Sequence, residues 1–309
     1  MSTIIPVALF AYARPDHLRR TLAGLRANKV PLIYAFSDGP RTPDKEPSVA
    51  AVREILRTID WCEIILCERD ENWGLGRSIL AGVSSILSEH ETVIVFEDDL
   101  VCVPGTYQYL SAALHHYRDV PAVMSVTGWT HPRVTPRDVL DQPYFDGRAE
   151  CWVWGTWVRA WQGMNQDAKT LMQACEARGI DVYRYGADLP AMAEVELQRN
   201  IWAVRFLYLH LLRGELCLRP PYSMVEHVGF DILATNTGDG SKWANPPLRA
   251  CPPLPDEWPT PVEHPECASL WQMAYGTKSV KSTLTSRSRR VVRRARKVIS
   301  QTARRLGLR

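Results

Sequence analysis

The chain has 309 residues, of which 46% are hydrophobic and 23% are charged, an ordinary composition for a soluble globular protein. It contains no apolar run of the roughly 20 residues that a membrane-spanning helix requires. Its first residues lack the basic stretch and the long apolar core of a secretory signal. Eight scattered cysteines without a CxxC pair favour reduced thiols. Neither a membrane-spanning nor a secreted protein is therefore expected, and the predicted location is the cytoplasm.

The net charge of +3 combines two regions of opposite charge. Residues 278–309 contain 12 Lys or Arg residues and no acid. In residues 1–277 the other 25 basic residues are outnumbered by 34 acidic ones, which leaves a net charge of −9. An acidic body and a basic tail are expected to have separate roles.

Strands and helices are predicted to alternate through the first half of the chain. Continuous apolar, β-branched runs indicate strands at 5–13, 31–40, 62–68 and 92–96. Periodic apolar residues, among them Leu18, Leu22 and Leu25, indicate helices at 17–28, 48–59, 76–90 and 105–117. This alternation predicts an α/β fold in which a mostly parallel sheet is flanked by helices.

Three acids, Glu97, Asp98 and Asp99, follow the fourth predicted strand. That strand is apolar without alternation, which indicates burial on both faces, and its carboxyl end is where open α/β sheets place ligands. If the chain stays extended, Glu97 and Asp99 point to one side and Asp98 to the other. Burying the carboxylates without a cation costs several kcal/mol per ion. We therefore expect an Mg²⁺ or Mn²⁺ site facing a phosphate-bearing ligand; a solvated turn and a salt-bridge cluster are the alternatives.

The second half is rich in aromatic residues, and residues 150–161, ECWVWGTWVRAW, contain four tryptophans. Such rings suit a tightly packed core layer or a wall against a flat ligand such as a sugar, and both interpretations can hold together. Residues 243–265 are rich in proline and have no helical or strand period, so 243–277 is predicted to be an extended strap.

These features resemble a GT-A glycosyltransferase, above all the bacterial family 2-like sugar transferases and the eukaryotic N-acetylglucosaminyltransferase I type. The resemblance spans about residues 4–235 and is carried by ALFAYARP (8–15), FSDGP (36–40), NWGLGRSI (72–79), the DXD-like VFEDDL (95–100), SVTGW (125–129), NIWAVRF (200–206) and LCLRPPYS (216–223). It implies a Rossmann-like domain with a nucleotide-sugar half at 1–128, an acceptor half at 129–242, the strap at 243–277 and the tail at 278–309.

The resemblance also implies roles for individual residues around the nucleotide sugar. Asp38 would accept a hydrogen bond from the base, Asp98 would bind the ribose, and Arg14 would lie near the phosphates. The remaining residues of the nucleotide pocket would be Ala11, Asn72, Gly74 and Arg77. From the residues themselves, glycine permits a close backbone approach and Arg77 opens a helix beside an anion. Surface charge for the two arginines and a turn-forming role for Asp38 are the alternatives.

For the metal, the resemblance implies Asp99 as the direct ligand, with Glu97 and His227 as further candidates; His227 could instead contact a phosphate or be structural. Mn²⁺ or Mg²⁺ would be the cofactor.

The catalytic base is where the sequence departs from its relatives. In the N-acetylglucosaminyltransferase I type, a Trp-Asp-Asp-Trp segment supplies it, and the matching residues here, 202–205, contain no acid. The nearest candidates are Glu196 and then Glu194, with solvated helix acids as the alternative. The wall on the acceptor side would be formed by Trp129, Trp152, Trp154, Trp202 and Arg205.

The tail contains RSRRVVRRARKVISQTARRL at 287–306, which predicts a basic amphipathic helix for an anionic membrane surface or for nucleic acid. The acidic body makes nucleic acid the less favoured partner. We expect a metal-dependent, inverting glycosyltransferase at the inner face of the plasma membrane, with a nucleotide-diphosphate sugar, a UDP-sugar first, as donor and a glycan or lipid-linked acceptor. The alternatives are a nucleic-acid-binding protein, a non-catalytic sugar-binding or scaffold protein, and a nucleotidyltransferase.

Overall fold

The computed structural model describes residues 4–229 and 243–277. The described residues belong to one compact unit. The predicted amphipathic helix at 287–306 lies outside the described residues.

Strands and helices alternate in the first half, as the sequence predicts. They are β1 (Val7–Ala11), α1 (Pro15–Ala27), β2 (Leu32–Ser37), α2 (Glu46–Arg57), β3 (Glu63–Glu68), α3 (Leu75–Ile86), β4 (Thr92–Glu97), β5 (Leu100–Cys102) and α4 (Thr106–His116). The second half contains β6 (Val123–Thr127), β7 (Tyr144–Asp146), β8 (Trp154–Trp157), α5 (Val158–Trp161), α6 (Ala168–Ala177), α7 (Asp188–Arg199), α8 (Ala203–Arg213), β9 (Leu216–Arg219), β10 (Val225–His227) and α9 (Cys267–Tyr275).

Within the described residues, eight strands form one sheet in the order β3-β2-β1-β4-β8-β6-β9-β7, and β10 pairs with β5 in a small second sheet. The strands β3, β2, β1 and β4 are parallel to their neighbours, whereas β8 runs antiparallel between β4 and β6. The predicted α/β fold with a mostly parallel sheet flanked by helices is confirmed.

The sheet is buried on both faces because alternate residues of its central strands enter two different cores. On β1, Val7 and Leu9 pack in the core that contains Leu18, Leu22 and Leu25 of α1. Ala8 and Phe10 point to the other face, which α3 covers with Ile79, Val83 and Ile86. Complete burial of one such side chain stabilises the fold by about 1.5–3 kcal/mol. The periodic leucines of α1 are therefore its core face, as predicted.

The register of the parallel strands brings their carboxyl ends to one edge of the sheet. Ala11, the last residue of β1, pairs with Ser37, the last residue of β2. On the other side of β1, Phe10 pairs with Glu97, which ends β4. Asp38 and the Asp98–Asp99 pair thus follow the two strands that flank β1, at the same edge of the sheet.

Two of the predicted wall tryptophans, Trp154 and Trp202, belong to the core. Trp154 is fully buried, and its ring centroid lies 5.6 Å from Trp161, 5.1 Å from Trp202 and 5.0 Å from Phe206. The antiparallel strand β8 places Trp154 inside the sheet, and α8 then covers it. For these two residues the core-layer interpretation of the aromatic segment is correct and the wall prediction is wrong.

The predicted strap ends in a helix that contributes to the core. In α9, Trp271 is 2% exposed and its indole N–H donates to Asp146 Oδ2 at 2.8 Å. Asp146 also pairs with the buried Arg219, whose Nε lies 2.8 Å from the same oxygen. The helix forms because the proline-rich composition ends at residue 265, which leaves 267–275 free of helix breakers.

A buried histidine joins the sheet to α8. His210 is 0% exposed; its Nε2 lies 2.8 Å from Ser125 Oγ on β6, and its Nδ1 lies 2.8 Å from the carbonyl oxygen of Phe206. Burial lowers the pKa of His210 from 6.5 to about 3. The folded chain therefore holds this ring in its neutral form.

Because the unfolded chain binds a proton at this histidine below about pH 6.5 and the folded chain does not until about pH 3, stability falls as pH falls through this window. The slope is up to about 1.4 kcal/mol per pH unit. We expect His210→Gln to have a shallower pH dependence in urea unfolding across the window. His115→Gln, a control at an exposed position of α4, keeps the wild-type dependence. Equal slopes for the two variants would contradict this assignment.

Candidate functional site

The acidic turn after β4 is held by a single arginine. Arg14, just before α1, donates to Asp98 Oδ1 through Nη2 and to Asp99 Oδ2 through Nη1, the latter at 2.6 Å. Asp98 and Asp99 are only 2% and 3% exposed. The backbone N–H of Tyr12 also donates to Asp98 Oδ2 at 3.0 Å. The ends of β1 and β4 are thus joined through charge-assisted hydrogen bonds.

The chain does not stay extended past the fourth strand as expected, because β4 ends at Glu97 and residues 98–99 form a turn. The turn brings the carboxylates of both Asp98 and Asp99 to the same guanidinium. Glu97 is partly exposed at the strand end. Ala11 lies beneath this edge, in the core that contains Leu18.

Three carboxyl groups lie close to one guanidinium at this turn. Although Glu97 is partly exposed, desolvation of its carboxyl, followed by the charge of Asp99, raises its pKa to about 8, so this group is mostly protonated at pH 7. Burial also raises the pKa of Asp98, although Arg14 opposes the rise. Burial alone would lower the pKa of Arg14, but the charges of Asp98 and Asp99 outweigh it and the pKa is raised. One guanidinium therefore faces three carboxyl groups, and a further cation would relieve their repulsion.

The groups around Asp99 fit a divalent cation. Asp99 Oδ1 is buried and has no hydrogen-bond donor among the described residues, so one strong acceptor is left for another ligand. Burial lowers the pKa of His227, although Asp99 opposes this, and its Nε2 lies 3.6 Å from Asp99 Oδ2. Gly229 is tightly enclosed, since a methyl group there would overlap Asp99 Oδ2 and touch Arg14. Carboxylate oxygens are the ligands that Mg²⁺ and Mn²⁺ prefer.

His227 is arranged as a donor more than as a metal ligand. The backbone N–H of Gly229 lies 3.2 Å from His227 Nδ1, which makes that nitrogen the acceptor. The proton of the neutral ring is then on Nε2, facing Asp99. An N–H group at Nε2 can donate a hydrogen bond to Asp99 or to a phosphate oxygen. Contact with a phosphate is the alternative to metal binding that the sequence analysis gives for His227.

A different cluster brings three ligand atoms within 4.8 Å of one another in the described part of the chain. It consists of Asp138, His264 and Glu266, and both acids are exposed. His264 Nε2 is 3.0 Å from Asp138 Oδ1. This surface cluster contains none of the predicted ligands.

Asp38 is buried at the end of β2 and organises the neighbouring loop. Its Oδ2 accepts the backbone N–H groups of Trp73 at 3.0 Å and Gly74 at 2.8 Å. Its Oδ1 accepts Arg69 Nη1 at 2.7 Å and Ser78 Oγ at 3.2 Å. With four protein donors on its two oxygens, Asp38 shapes the loop at 72–74 in place of the direct base contact that the resemblance implies.

The other predicted nucleotide residues lie on this loop. Asn72 Nδ2 donates to the carbonyl oxygen of Gly39 at 3.0 Å, and Gly74 has a left-handed φ of 72° that favours glycine. The guanidinium of the exposed Arg77 lies 4.1 Å from the ring centroid of Trp73, and that of Arg69 lies 4.4 Å from it. On this loop the exposed Arg77 and the partly exposed Trp73 therefore form a cationic, aromatic surface, whereas Arg69 is buried beneath it.

Sequence reasoning missed Asn200, which connects this loop to the second half of the chain. Asn200 ends α7 with a left-handed φ of 56°, and its Oδ1 accepts the backbone N–H of Arg77 at 3.0 Å. A side chain at Gly76 would overlap Asn200. The Gly74–Gly76 spacing was the available signal, because it indicates a close backbone approach.

Of the other predicted wall tryptophans, Trp152 is partly exposed, whereas Trp129 is only 2% exposed and belongs to the core. The ring centroid of Trp152 lies 4.7 Å from His227 and 4.9 Å from Trp129. The ring centroid of Trp243 lies 6.1 Å from that of Trp129 and 5.4 Å from that of Tyr275 in α9. Trp243 and Tyr275 come from the strap, which the sequence did not assign to the site.

The structure does not bring the predicted base residues to this edge. Glu196 is 3% exposed; its Oε1 pairs with Arg205 Nε at 2.8 Å, and its Oε2 accepts the backbone N–H of Ala168 at 3.2 Å. Glu196 and Arg205 thus fasten the start of α6, and neither faces the acidic turn. Glu194 is exposed and pairs with Lys169 at 2.8 Å. Both glutamates have structural partners in place of the catalytic role that the sequence indicated.

Neither a protein-family model nor a curated protein matches this sequence. Among solved structures, the chain is similar to a mannosyltransferase from Pyrobaculum calidifontis in complex with GDP-Man and Mn²⁺, at 17% identity and a TM-score of 0.36, over 57% of this chain and 46% of that one. It thus spans about half the length of that enzyme.

Two further solved structures are similar over about half of this chain. One is UDP-glucose pyrophosphorylase complexed with UDP-glucose, at 14% identity and a TM-score of 0.28, over 48% of this chain and 64% of that one. The other is 4-diphosphocytidyl-2C-methyl-D-erythritol synthase from Anaerococcus prevotii, at 12% identity and a TM-score of 0.34, over 52% and 75%. Similarities of this size carry no conclusion about activity, which depends on the site itself.

None of the helices in the described ranges combines the length and the apolar character that a membrane crossing needs.

The network around Asp38 can be tested by its contribution to stability. Asp38→Ala leaves the buried Arg69 without its carboxylate, so we expect the free energy of unfolding to fall by about 3–5 kcal/mol. Asp70→Ala, a control at an exposed neighbouring position, is expected to unfold like the wild type in urea. Unchanged stability of Asp38→Ala, with altered preference between nucleotide bases, would favour the base contact instead.

Proposed function

We propose that this chain is a metal-dependent glycosyltransferase that takes its sugar from a nucleotide-diphosphate donor. The supporting observation is the acidic turn, where Arg14 pairs with both buried aspartates, Asp98 and Asp99, and Asp99 Oδ1 has no hydrogen-bond donor among the described residues. A divalent cation would balance the carboxylates of the turn, and a diphosphate would balance the cation and Arg14. The carboxyl edge of an open α/β sheet is also where such folds bind nucleotides.

Different residues of the turn would bind different parts of the nucleotide-sugar donor. Mn²⁺ or Mg²⁺ held by Asp99, with Glu97 beside it, would neutralise the charge that develops on the leaving diphosphate. Arg14 exchanges a carboxylate for phosphate oxygens, since a guanidinium binds either group through two parallel hydrogen bonds. Asp98, held by the N–H of Tyr12, orients the ribose, and His227 donates to a diphosphate oxygen.

The acceptor approaches along the aromatic wall. Trp152, beside His227, presents a flat, partly exposed ring, and Trp129 supports it from behind. Flat apolar faces with polar edges suit a sugar ring. The acceptor hydroxyl then attacks the anomeric carbon as the nucleotide diphosphate departs, with inversion at that carbon. The proton acceptor for this step is neither Glu194 nor Glu196, since both are engaged away from the turn.

The proposal is tested by the slow hydrolysis of nucleotide sugars with Mn²⁺. UDP- and GDP-sugars are incubated with the wild type, with Asp99→Asn and with Glu226→Gln, and release of the nucleotide diphosphate is measured. We expect the wild type to hydrolyse at least one donor in an Mn²⁺-dependent manner. Asp99→Asn should lower the rate by on the order of 10–100-fold or more, because loss of metal-site interactions has effects of this size.

Glu226→Gln is the control. Glu226 lies on the same short strand as His227 but is exposed, so this variant should retain the wild-type rate. Equal rates in Asp99→Asn and the wild type would contradict the proposal. Release of pyrophosphate from a nucleoside triphosphate and a sugar phosphate, without hydrolysis of any nucleotide sugar, would instead show nucleotidyl transfer.

A further inference from the structure

A surface cavity of about 330 Å³ lies outside the donor site. It is formed by three segments: the loop after Trp129, residues 221–223 before β10, and residues 245–249 of the strap. Its walls are mainly apolar, with Pro132, Leu140, Tyr222 and further prolines. None of these lining residues is among those proposed to bind the nucleotide-sugar donor.

Two arginines contribute positive charge to the lining of the cavity, and the charge of the nearby Asp141 also acts on its Tyr222. Arg137 and Arg249 both line it, and no acid is among its lining residues. The guanidinium of Arg249 lies 5.1 Å from the ring centroid of Tyr222, which holds it by a cation–π contact. Nearby Asp138 is engaged by His264 at 3.0 Å. Neither arginine side chain has an ion-pair partner within the described part of the chain.

The cavity is connected to the donor site through shared backbone. Asn245 Nδ2 and Ser223 Oγ, both in its lining, donate to the carbonyl oxygen of Val225 at 2.6 and 2.7 Å. Val225 begins the strand that ends at His227. His227 is four residues beyond Ser223, so their Cα atoms are at most about 13 Å apart. On the opposite wall, Thr130 directly follows Trp129.

We propose that this cavity is a subsite for the acceptor and that it binds an acceptor carrying a carboxylate or a phosphate on a ring or chain of apolar character. The inference depends on the proposed function and adds the class of acceptor to it. Arg137 and Arg249 bind the anionic group of the acceptor, whereas the prolines and Tyr222 contact its apolar ring or chain. The remote hydroxyl of the acceptor then reaches the sugar donor along the partly exposed ring of Trp152.

The same anionic chemistry can come from an acidic sugar or from a lipid phosphate, and four soluble probes separate the two sources. Methyl β-D-glucuronide is paired with the neutral methyl β-D-glucoside, and geranyl phosphate is paired with the neutral geraniol. Binding is measured by isothermal titration to the full chain without any donor. Binding of the glucuronide indicates an acidic glycan acceptor, and binding of geranyl phosphate indicates a lipid-linked one.

The arginines are tested by the double variant Arg137→Gln/Arg249→Gln. We expect it to bind the anionic probe at least tenfold more weakly than the wild type. Arg26→Gln, at an exposed position of α1 far along the chain from the cavity, is the matched control and should bind like the wild type. Equal affinity for an anionic probe and its neutral partner, no binding of either anion, or unchanged affinity in the double variant would overturn the proposal.

Failure of this inference is distinguishable from failure of the proposed function. Probe binding needs no donor, so it is measured even if no nucleotide sugar is hydrolysed. If the donor is hydrolysed, the double variant should retain that rate, because its arginines lie outside the donor site. Its KM for the anionic acceptor should rise at least tenfold. A loss of donor hydrolysis in the double variant would place the arginines in the donor site and contradict the subsite.

Discussion

The contact on which the site depends is the ion cluster between Arg14 and the two aspartates of the turn after β4. Both aspartates are almost fully buried, and breaking a buried pair costs about 3–5 kcal/mol because it leaves an uncompensated charge. The same arginine cannot neutralise Asp98 and Asp99 together. The turn is therefore fixed in place by one cation and still suited to a second, which is the condition for binding a metal and a diphosphate at one position.

The rest of the fold holds this turn against the neighbouring strands. The parallel register of β1, β2 and β4 brings three strand ends to one edge, so Asp38 lies beside the turn without touching Arg14's partners. Asp38 organises the Trp73–Gly74 backbone, and Asn200 holds the start of α3. The loop at 72–74 is thus supported from both halves of the chain, which explains how it keeps a defined shape.

Much of the fold could be predicted from the sequence, because buried parallel strands and amphipathic helices have strong periodic signals. The acids at the end of β4 were identified for the same reason. What could not be predicted depends on tertiary contacts: a turn in place of continued extension at Asp98, the burial of Trp154 by α8, and the pairing of Glu196 with Arg205. Residue type alone does not distinguish a wall tryptophan from a core tryptophan, nor a catalytic glutamate from one that holds a helix start.

The central claim is that Asp99 holds a divalent cation at this turn. Titration of Mn²⁺ followed by electron paramagnetic resonance, in the presence of a nucleoside diphosphate, tests it most directly. The account predicts that Asp99→Asn loses the bound Mn²⁺ and that His264→Gln, which alters the separate surface cluster, retains it. Retention of Mn²⁺ in Asp99→Asn together with its loss in His264→Gln would contradict the account and place the metal at the surface.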